Sequence, residues 1–154
     1  MPATYDAHRA LADRERRMVD YDIDDALNLV DLGQPQGAGA KCVAIADGFR
    51  RFLAGLFRSV GTGSVSEFQI IAATAADGTG AVIVKEHAIG SAPNLLNDTI
   101  WLEVDVEQVR EVLPTATHVG VRVQLATAGD ECVIFFERSE PLHRYANLTA
   151  DFIG

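Results

Sequence analysis

His118-Val119-Gly120-Val121-Arg122-Val123-Gln124-Leu125 is the stretch that decides the fold. Every odd-numbered residue in it is apolar, and every even-numbered one is polar or glycine. Period two with a single apolar face marks a half-buried strand. Ile100-Trp101-Leu102-Glu103-Val104-Asp105-Val106 repeats the pattern, with aliphatic residues at even positions and Trp101, Glu103 and Asp105 on the opposite face. Two such strands in one chain point to an antiparallel sheet with a core on one side.

Working outward, strand-like segments recur at short intervals: Leu27 to Leu32, Lys41 to Ala46, Arg51 to Val60, Ser66 to Ala73, Ala81 to His87, and Glu131 to Arg138. Between them lie Asp47-Gly48, Gly61-Thr62-Gly63, Asp77-Gly78-Thr79-Gly80, Pro93-Asn94 and Ala128-Gly129-Asp130, the residue chemistry that turns require. Helices of 10–15 residues between strands, which an α/β fold needs, are not seen. One short helix is predicted over Val106 to Leu113, capped by Asp105 and stopped by Pro114, with Val109, Val112 and Leu113 closing one end of the core. The fold class is all-β, an antiparallel β-sandwich of jelly-roll or immunoglobulin-like type.

Two segments break the alternation. Phe52-Leu53-Ala54-Gly55-Leu56-Phe57 and Val133-Ile134-Phe135-Phe136 are apolar on both faces. One face enters the core, and the other needs cover from an arm, a loop or another subunit. Phe52 and Phe57 are therefore expected to be interaction residues.

The first residues read differently. Tyr5 to Met18 is polar and helix-compatible, with Leu11, Glu15 and Met18 at helical spacing, and only a thin apolar stripe results. Arg14, Arg16 and Arg17 precede Asp20, Asp22, Asp24 and Asp25, a basic block beside an acidic one. The division expected is a charged, partly helical arm over 1–26, a sandwich over 27–145 and a tail over 146–154. Leu11, Arg14, Arg16, Arg17 and Met18 are the arm residues expected to dock on a neighbour.

Composition narrows the function. The chain has 154 residues, 48% hydrophobic, with 22 acidic against 13 basic residues and a net charge of -9. A length near 150 fits one domain with a core that needs no staples. The acidic balance opposes a chain-wide role on nucleic acid or anionic lipid, since both recruit cations. No apolar run approaches the ~18–20 residues of a membrane span, and no secretory signal pattern is visible. Cys42 and Cys132 each sit in an apolar stretch and read as buried thiols, with a disulfide the alternative.

Catalytic signatures are missing: there is no Gly-x-Ser-x-Gly elbow, phosphate-binding loop or His-Glu-x-x-His pair. His8, His87, His118 and His143 are scattered singly. Glu103 and Asp105 share a strand face and, with His118, make the one hydrolase constellation to weigh against an exposed polar face. Gly61-Thr62-Gly63 and Gly78-Thr79-Gly80 read as hairpin turns, because neither leads from a strand into a helix. Asp20, Asp22, Asp24 and Asp31 fall at calcium-loop positions, but Asp25 stands where glycine makes the sharp turn and Asp31 where a bidentate Glu is usual. A solvated acidic arm is the reading taken. For sugar binding, Trp101 is the only tryptophan, and Tyr5, Tyr21 and Tyr145 lie toward the termini. Neither a cofactor nor a metal site is expected.

The order Phe49-Arg50-Arg51-Phe52 to Phe57, Gly61-Thr62-Gly63, Val65 to Ala76, Asp77-Gly78, Ile100-Trp101-Leu102-Glu103-Val104-Asp105, a short helix, His118 to Val123 and Glu137 to Tyr145 resembles a group of small tailed-phage and prophage β-sandwich virion proteins. The resemblance covers residues 27–145 and is one of strand and turn order. It implies a non-enzymatic head-decoration or head-associated protein on the capsid surface, made in the host cytoplasm. Its partners would be the major capsid protein and copies of itself, three-fold by preference because shells offer three-fold sites. A tail or connector component and a carbohydrate- or receptor-binding module are the alternatives.

Overall fold

The computed structural model describes residues 14–22, 27–32, 40–60, 65–88, 99–125 and 131–141. The described residues form nine strands: β1 (Arg14–Asp22), β2 (Asn28–Leu29), β3 (Val43–Ala44), β4 (Phe49–Val60), β5 (Val65–Ala73), β6 (Val82–Ala88), β7 (Thr99–Asp105), β8 (His118–Leu125) and β9 (Glu131–Pro141). They form a four-stranded sheet in the order β1-β9-β4-β7 and a five-stranded sheet in the order β2-β8-β5-β6, with β3 also on β8. All the pairings are antiparallel. Among the described residues the fold is an all-β sandwich with one short helix.

The alternating strands do what their pattern dictates. Val119, Val121, Val123 and Leu125 of β8 are buried, as are Ile100, Leu102 and Val104 of β7. They meet Phe52, Ala54 and Leu56 of β4, Phe68 and Ile70 of β5, and Ile134 and Phe136 of β9 in one core between the sheets. Phe52 and Phe136 lie at 6.4 Å with an interplanar angle of 22° near its centre.

β5 is buried on both faces, and the outer one has its own cover. Cys42, Ile71 and Ala73 form a second cluster there, with Leu29 and Ala81 against it. The covering segment is tied down because the Lys41 and Cys42 N–H groups both donate to the Ala76 carbonyl at 2.9 Å. Burial, with Asp77 nearby, pushes the Cys42 thiol up to about 12. Cys42 and Cys132 are both buried thiols.

Local chemistry sets the element ends. The helix α1 (Val106–Val112) starts in a reciprocal capping box, with the Asp105 carboxylate accepting from the Gln108 N–H at 2.8 Å and the Gln108 side chain accepting from the Asp105 N–H at 3.0 Å. Val106 and Val109 enter the core and Leu113 packs against it, but Val112 is 42% exposed, contrary to its expected role in closing the end. Residues 106, 109 and 113 share one side of a short helix, and 112 is turned off it. The strand expected from Lys41 to Ala46 is cut to two residues, because Ile45–Asp47 turn as a 3₁₀ helix ended by Gly48 at φ +87°. Thr74 to Gly80 is a hairpin turn: Thr79 N–H donates to Asp77 Oδ1 at 2.9 Å, and Gly78 takes φ +86°. Bonds from the Thr79 side chain and main chain hold the Asp77 carboxyl below the usual carboxylate range. Gly61-Thr62-Gly63 lies outside the described residues.

The expectation for the N-terminal residues is corrected as well. Residues 14–22, assigned from sequence to a partly helical arm, form a nine-residue strand in register with β9, from Arg14 opposite Ser139 to Asp22 opposite Glu131. Backbone pairing along β9 overrides a helical spacing that rested on three residues. Asp20 and Asp22 are thereby extended, whereas a calcium loop must wrap its ion. Residues 1–13 (with Leu11) and 23–26 lie outside the described residues.

Candidate functional site

The outer face of the four-stranded sheet carries the residues that the core does not use. Register aligns Trp101 of β7, Gly55 of β4, Phe135 of β9 and Met18 of β1 in one row across all four strands. The next row holds Thr99, Phe57, Val133 and Asp20. The centre of the face is thus apolar, although it points away from the core.

Gly55 explains how that centre is arranged. A Cβ at this position would meet Cζ3, Cε3 and Cη2 of Trp101 at 2.5, 2.7 and 2.9 Å. Three ring atoms at nearly equal distance from one outward-pointing position mean that the indole lies flat across the strand, using the glycine as its floor. Two rings stand against its edges: Phe57 at 5.2 Å and 88°, and Phe135 at 5.7 Å and 69°. Edge-to-face contacts of this kind add to simple burial. The indole N–H donates to Thr99 Oγ1 at 3.0 Å, so the ring is fixed in its plane as well. Trp101 nevertheless remains 47% exposed, the upper face of the ring being open.

Charged groups border this centre. Arg51 pairs with Glu103 at 3.3 Å and with Glu140 at 3.4 Å, and Arg50 pairs with Glu107 at 3.3 Å. A shallow depression of about 260 Å³ lies beside them, lined by Arg51, Lys85, Glu103, Val104, Asp105 and Gln108. Its carboxylates are already engaged, Glu103 by Arg51 and Asp105 by the helix cap. His118 does not line it; it opens β8 in the other sheet, its Nδ1 2.8 Å from Thr117 Oγ1. The structure therefore does not bring Glu103, Asp105 and His118 together. Among the described residues no group of three or more His, Cys, Asp or Glu could hold a metal ion. No helix there is long and apolar enough to cross a membrane.

Two of the residues singled out from sequence separate cleanly. Phe52 is fully buried on the core face, out of reach of a partner, which corrects its assignment as an interaction residue. The cause is parity: Phe52, Ala54 and Leu56 point inward together, so Leu53, Gly55 and Phe57 point outward. Phe57 is half-buried on the outer face, against Trp101. Arg14, Arg16, Arg17 and Met18 occupy β1 at the sheet's end, and Leu11 lies outside the described residues. Sequence reasoning missed Phe135 and the role of Trp101 as cover for β4. The glycine inside an otherwise bulky strand was the available signal, because such a glycine marks close approach by another group.

The sequence matches no protein-family model. No curated protein is significantly similar to it. Among solved structures, it is similar to the vertex protein P5 of PRD1, at 12% identity over 83% of this chain and 96% of that one, with a TM-score of 0.48. It is also similar to a protein of Bacillus endospore appendages at 8% identity over 82% and 86% of the two chains (TM-score 0.38). A third is VP2 of infectious bursal disease virus, at 14% identity over 88% of this chain and 34% of that one (TM-score 0.38). Identities and scores of this size carry nothing about activity or partners.

Proposed function

We propose that this protein is a non-enzymatic structural component of a phage particle, a decoration protein that binds the major capsid protein through the outer face of its four-stranded sheet. The observation that carries the reading is the Trp101–Phe57–Phe135 cluster, held rigid over Gly55 yet open on its upper side. A pre-ordered aromatic centre with a charged border has the anatomy of a protein-binding hot spot. The resemblance of the strand and turn order to that of small phage virion sandwiches supports the same reading. The test is attachment of the purified protein to assembled shells encoded by the same genome. Wild type should co-sediment with shells, and Trp101→Ala should lose that while keeping its circular dichroism. Failure of wild type to bind, or full binding by the variant, would refute it.

A carbohydrate-binding role is the second reading, favoured by the flat exposed indole bordered by Arg51 and Glu103, groups able to bond sugar hydroxyls. Glycan-array binding that disappears in Trp101→Ala, without shell attachment by wild type, would establish it over the first.

A further inference from the structure

β1 ends the four-stranded sheet, and among the described strands it pairs only with β9. An end strand offers a row of main-chain donors and acceptors to any further strand. The opposite end of the sheet is treated differently. There Lys85, from β6 of the other sheet, donates its ammonium to the Glu103 carbonyl of β7 at 3.2 Å. A lysine across an edge discourages strand addition. β1 is charged too, but its charges are of both signs and segregated along the strand, which deters a general partner and suits a complementary one.

The nine residues Arg14-Glu15-Arg16-Arg17-Met18-Val19-Asp20-Tyr21-Asp22 are basic at the start and acidic at the end. Read against itself in the antiparallel sense, such a strand is charge-complementary. We propose that β1 pairs with β1 of a second copy about a two-fold axis at Met18, joining two four-stranded sheets into one continuous eight-stranded sheet. The partner is another copy of this chain, and the proposal does not depend on shell binding.

Geometry selects the register. For the two cores to stay on one side of the joined sheet, the axis must run normal to it, and residues directly opposite must share a face. Identical strands then pair only odd with odd and even with even. Centring on Met18 is the choice that pairs all nine residues. It sets Arg14 opposite Asp22 and Arg16 opposite Asp20, and symmetry repeats both, giving four opposite-charge pairs around a Met18–Met18 centre. Centring on Arg17 would set two guanidinium groups opposite each other. Centring on Val19 would leave Arg14 and Glu15 beyond the end of the partner strand. Opposite charges directly across a strand pair stabilise it, and like charges do the reverse. The Met18 register also continues the row of Trp101, Gly55 and Phe135 across the axis into the second copy.

Charge exchange tests the pairing. Arg16→Asp and Asp20→Arg each turn two attractive pairs into repulsive ones, and each should weaken self-association by about tenfold or more in sedimentation equilibrium. In a mixture of the two variants, the carboxylate introduced in one faces the guanidinium introduced in the other. The unchanged Asp20 of the first variant likewise faces the unchanged Arg16 of the second. The mixture should therefore dimerise where neither component does. Contacts within one chain would not be restored by mixing. The register has its own test. Directly opposed Cα atoms in an antiparallel pair lie about 4.5–5.5 Å apart, inside the ~4.4–6.8 Å span of a disulfide. Met18→Cys should therefore form a disulfide-linked dimer on mild oxidation, and Val19→Cys should not. A monomeric wild type, a mixture that stays monomeric, or Val19→Cys crosslinking as well as Met18→Cys would overturn the proposal. Should a charge variant lose its β-sheet dichroism, the Met18→Cys and Val19→Cys comparison decides alone.

Discussion

Replacing Gly55 with alanine separates two effects that usually run together. In a strand interior, exchanging glycine for alanine ordinarily stabilises by about 0.5–1 kcal/mol, because glycine loses more freedom on folding. Here the added methyl would sit 2.5–2.9 Å from three atoms of the Trp101 ring, so the indole must lift off its floor. Trp101 is 47% exposed, so roughly half of it is covered. For an aromatic that buries ~150–250 Å² when fully enclosed, this is on the order of 100 Å², or about 2.5 kcal/mol at ~25 cal/mol/Å². Phe57, Phe135 and Thr99 supply part of that cover, and losing the glycine's share, about half, removes ~1–1.5 kcal/mol. Against the backbone gain, Gly55→Ala should destabilise by about 0.5 kcal/mol. In a Trp101→Ala background the same change should instead stabilise by about 0.5–1 kcal/mol, so the sign reverses. Urea unfolding followed by far-ultraviolet dichroism measures all four corners of the cycle. Because Trp101 is the only tryptophan, its emission also reports the lifted ring directly, as a shift to the red. Equal stabilisation in both backgrounds, with emission unchanged, would refute the flat-ring geometry.

Asp105→Ala removes one half of the capping box of α1 and should lower stability by about 1 kcal/mol in urea unfolding, with little change if the cap is only decorative. Asp47→Ala removes the carboxylate that Arg138 reaches at 2.5 Å; Arg138 is a residue 5% exposed, with its guanidinium 4.8 Å over the Phe49 ring. A loss of about 2 kcal/mol is expected, and a neutral result would refute a contribution of this pair to stability. The Cys42 thiol, held near 12 when folded against 9.0 when free, favours the native state fully below pH 9.0. That contribution fades as pH rises from 9.0 toward 12, so wild-type stability should fall more steeply over this window than that of Cys42→Ala. Parallel slopes for the two proteins would contradict the buried placement.

The parts of the fold legible in the sequence are those where one face alone is apolar. β7 and β8 announce themselves by alternation, and α1 by Asp105 before it and Pro114 after it. β1 was not legible, since a charged end strand lacks the two-residue alternation that burial imposes, and Leu11, Glu15 and Met18 happen to fit a helix. Both-face-apolar segments say that cover exists without saying what provides it. For β5 the cover is the Cys42 segment, and for β4 it is in large part Trp101, a residue of the same sheet. The candidate site is accordingly half visible: the sequence points to Phe52 and Phe57 alike, of which only Phe57 lies on the outer face, while Phe135 and Gly55 acquire meaning only when register places them beside the indole.

The bond from Lys85 to the Glu103 carbonyl has a consequence for growth. A sheet with two sticky ends polymerises into a filament, since each added molecule exposes a fresh end. A sheet with one guarded end has a valence of one along that direction. Assembly through the ends of the four-stranded sheet therefore terminates after a single addition, as a closed pair whose two outward edges each carry a lysine. Removing that ammonium, by Lys85→Ala, converts a terminating unit into one that can chain, and open-ended aggregation under concentration is the form its loss should take.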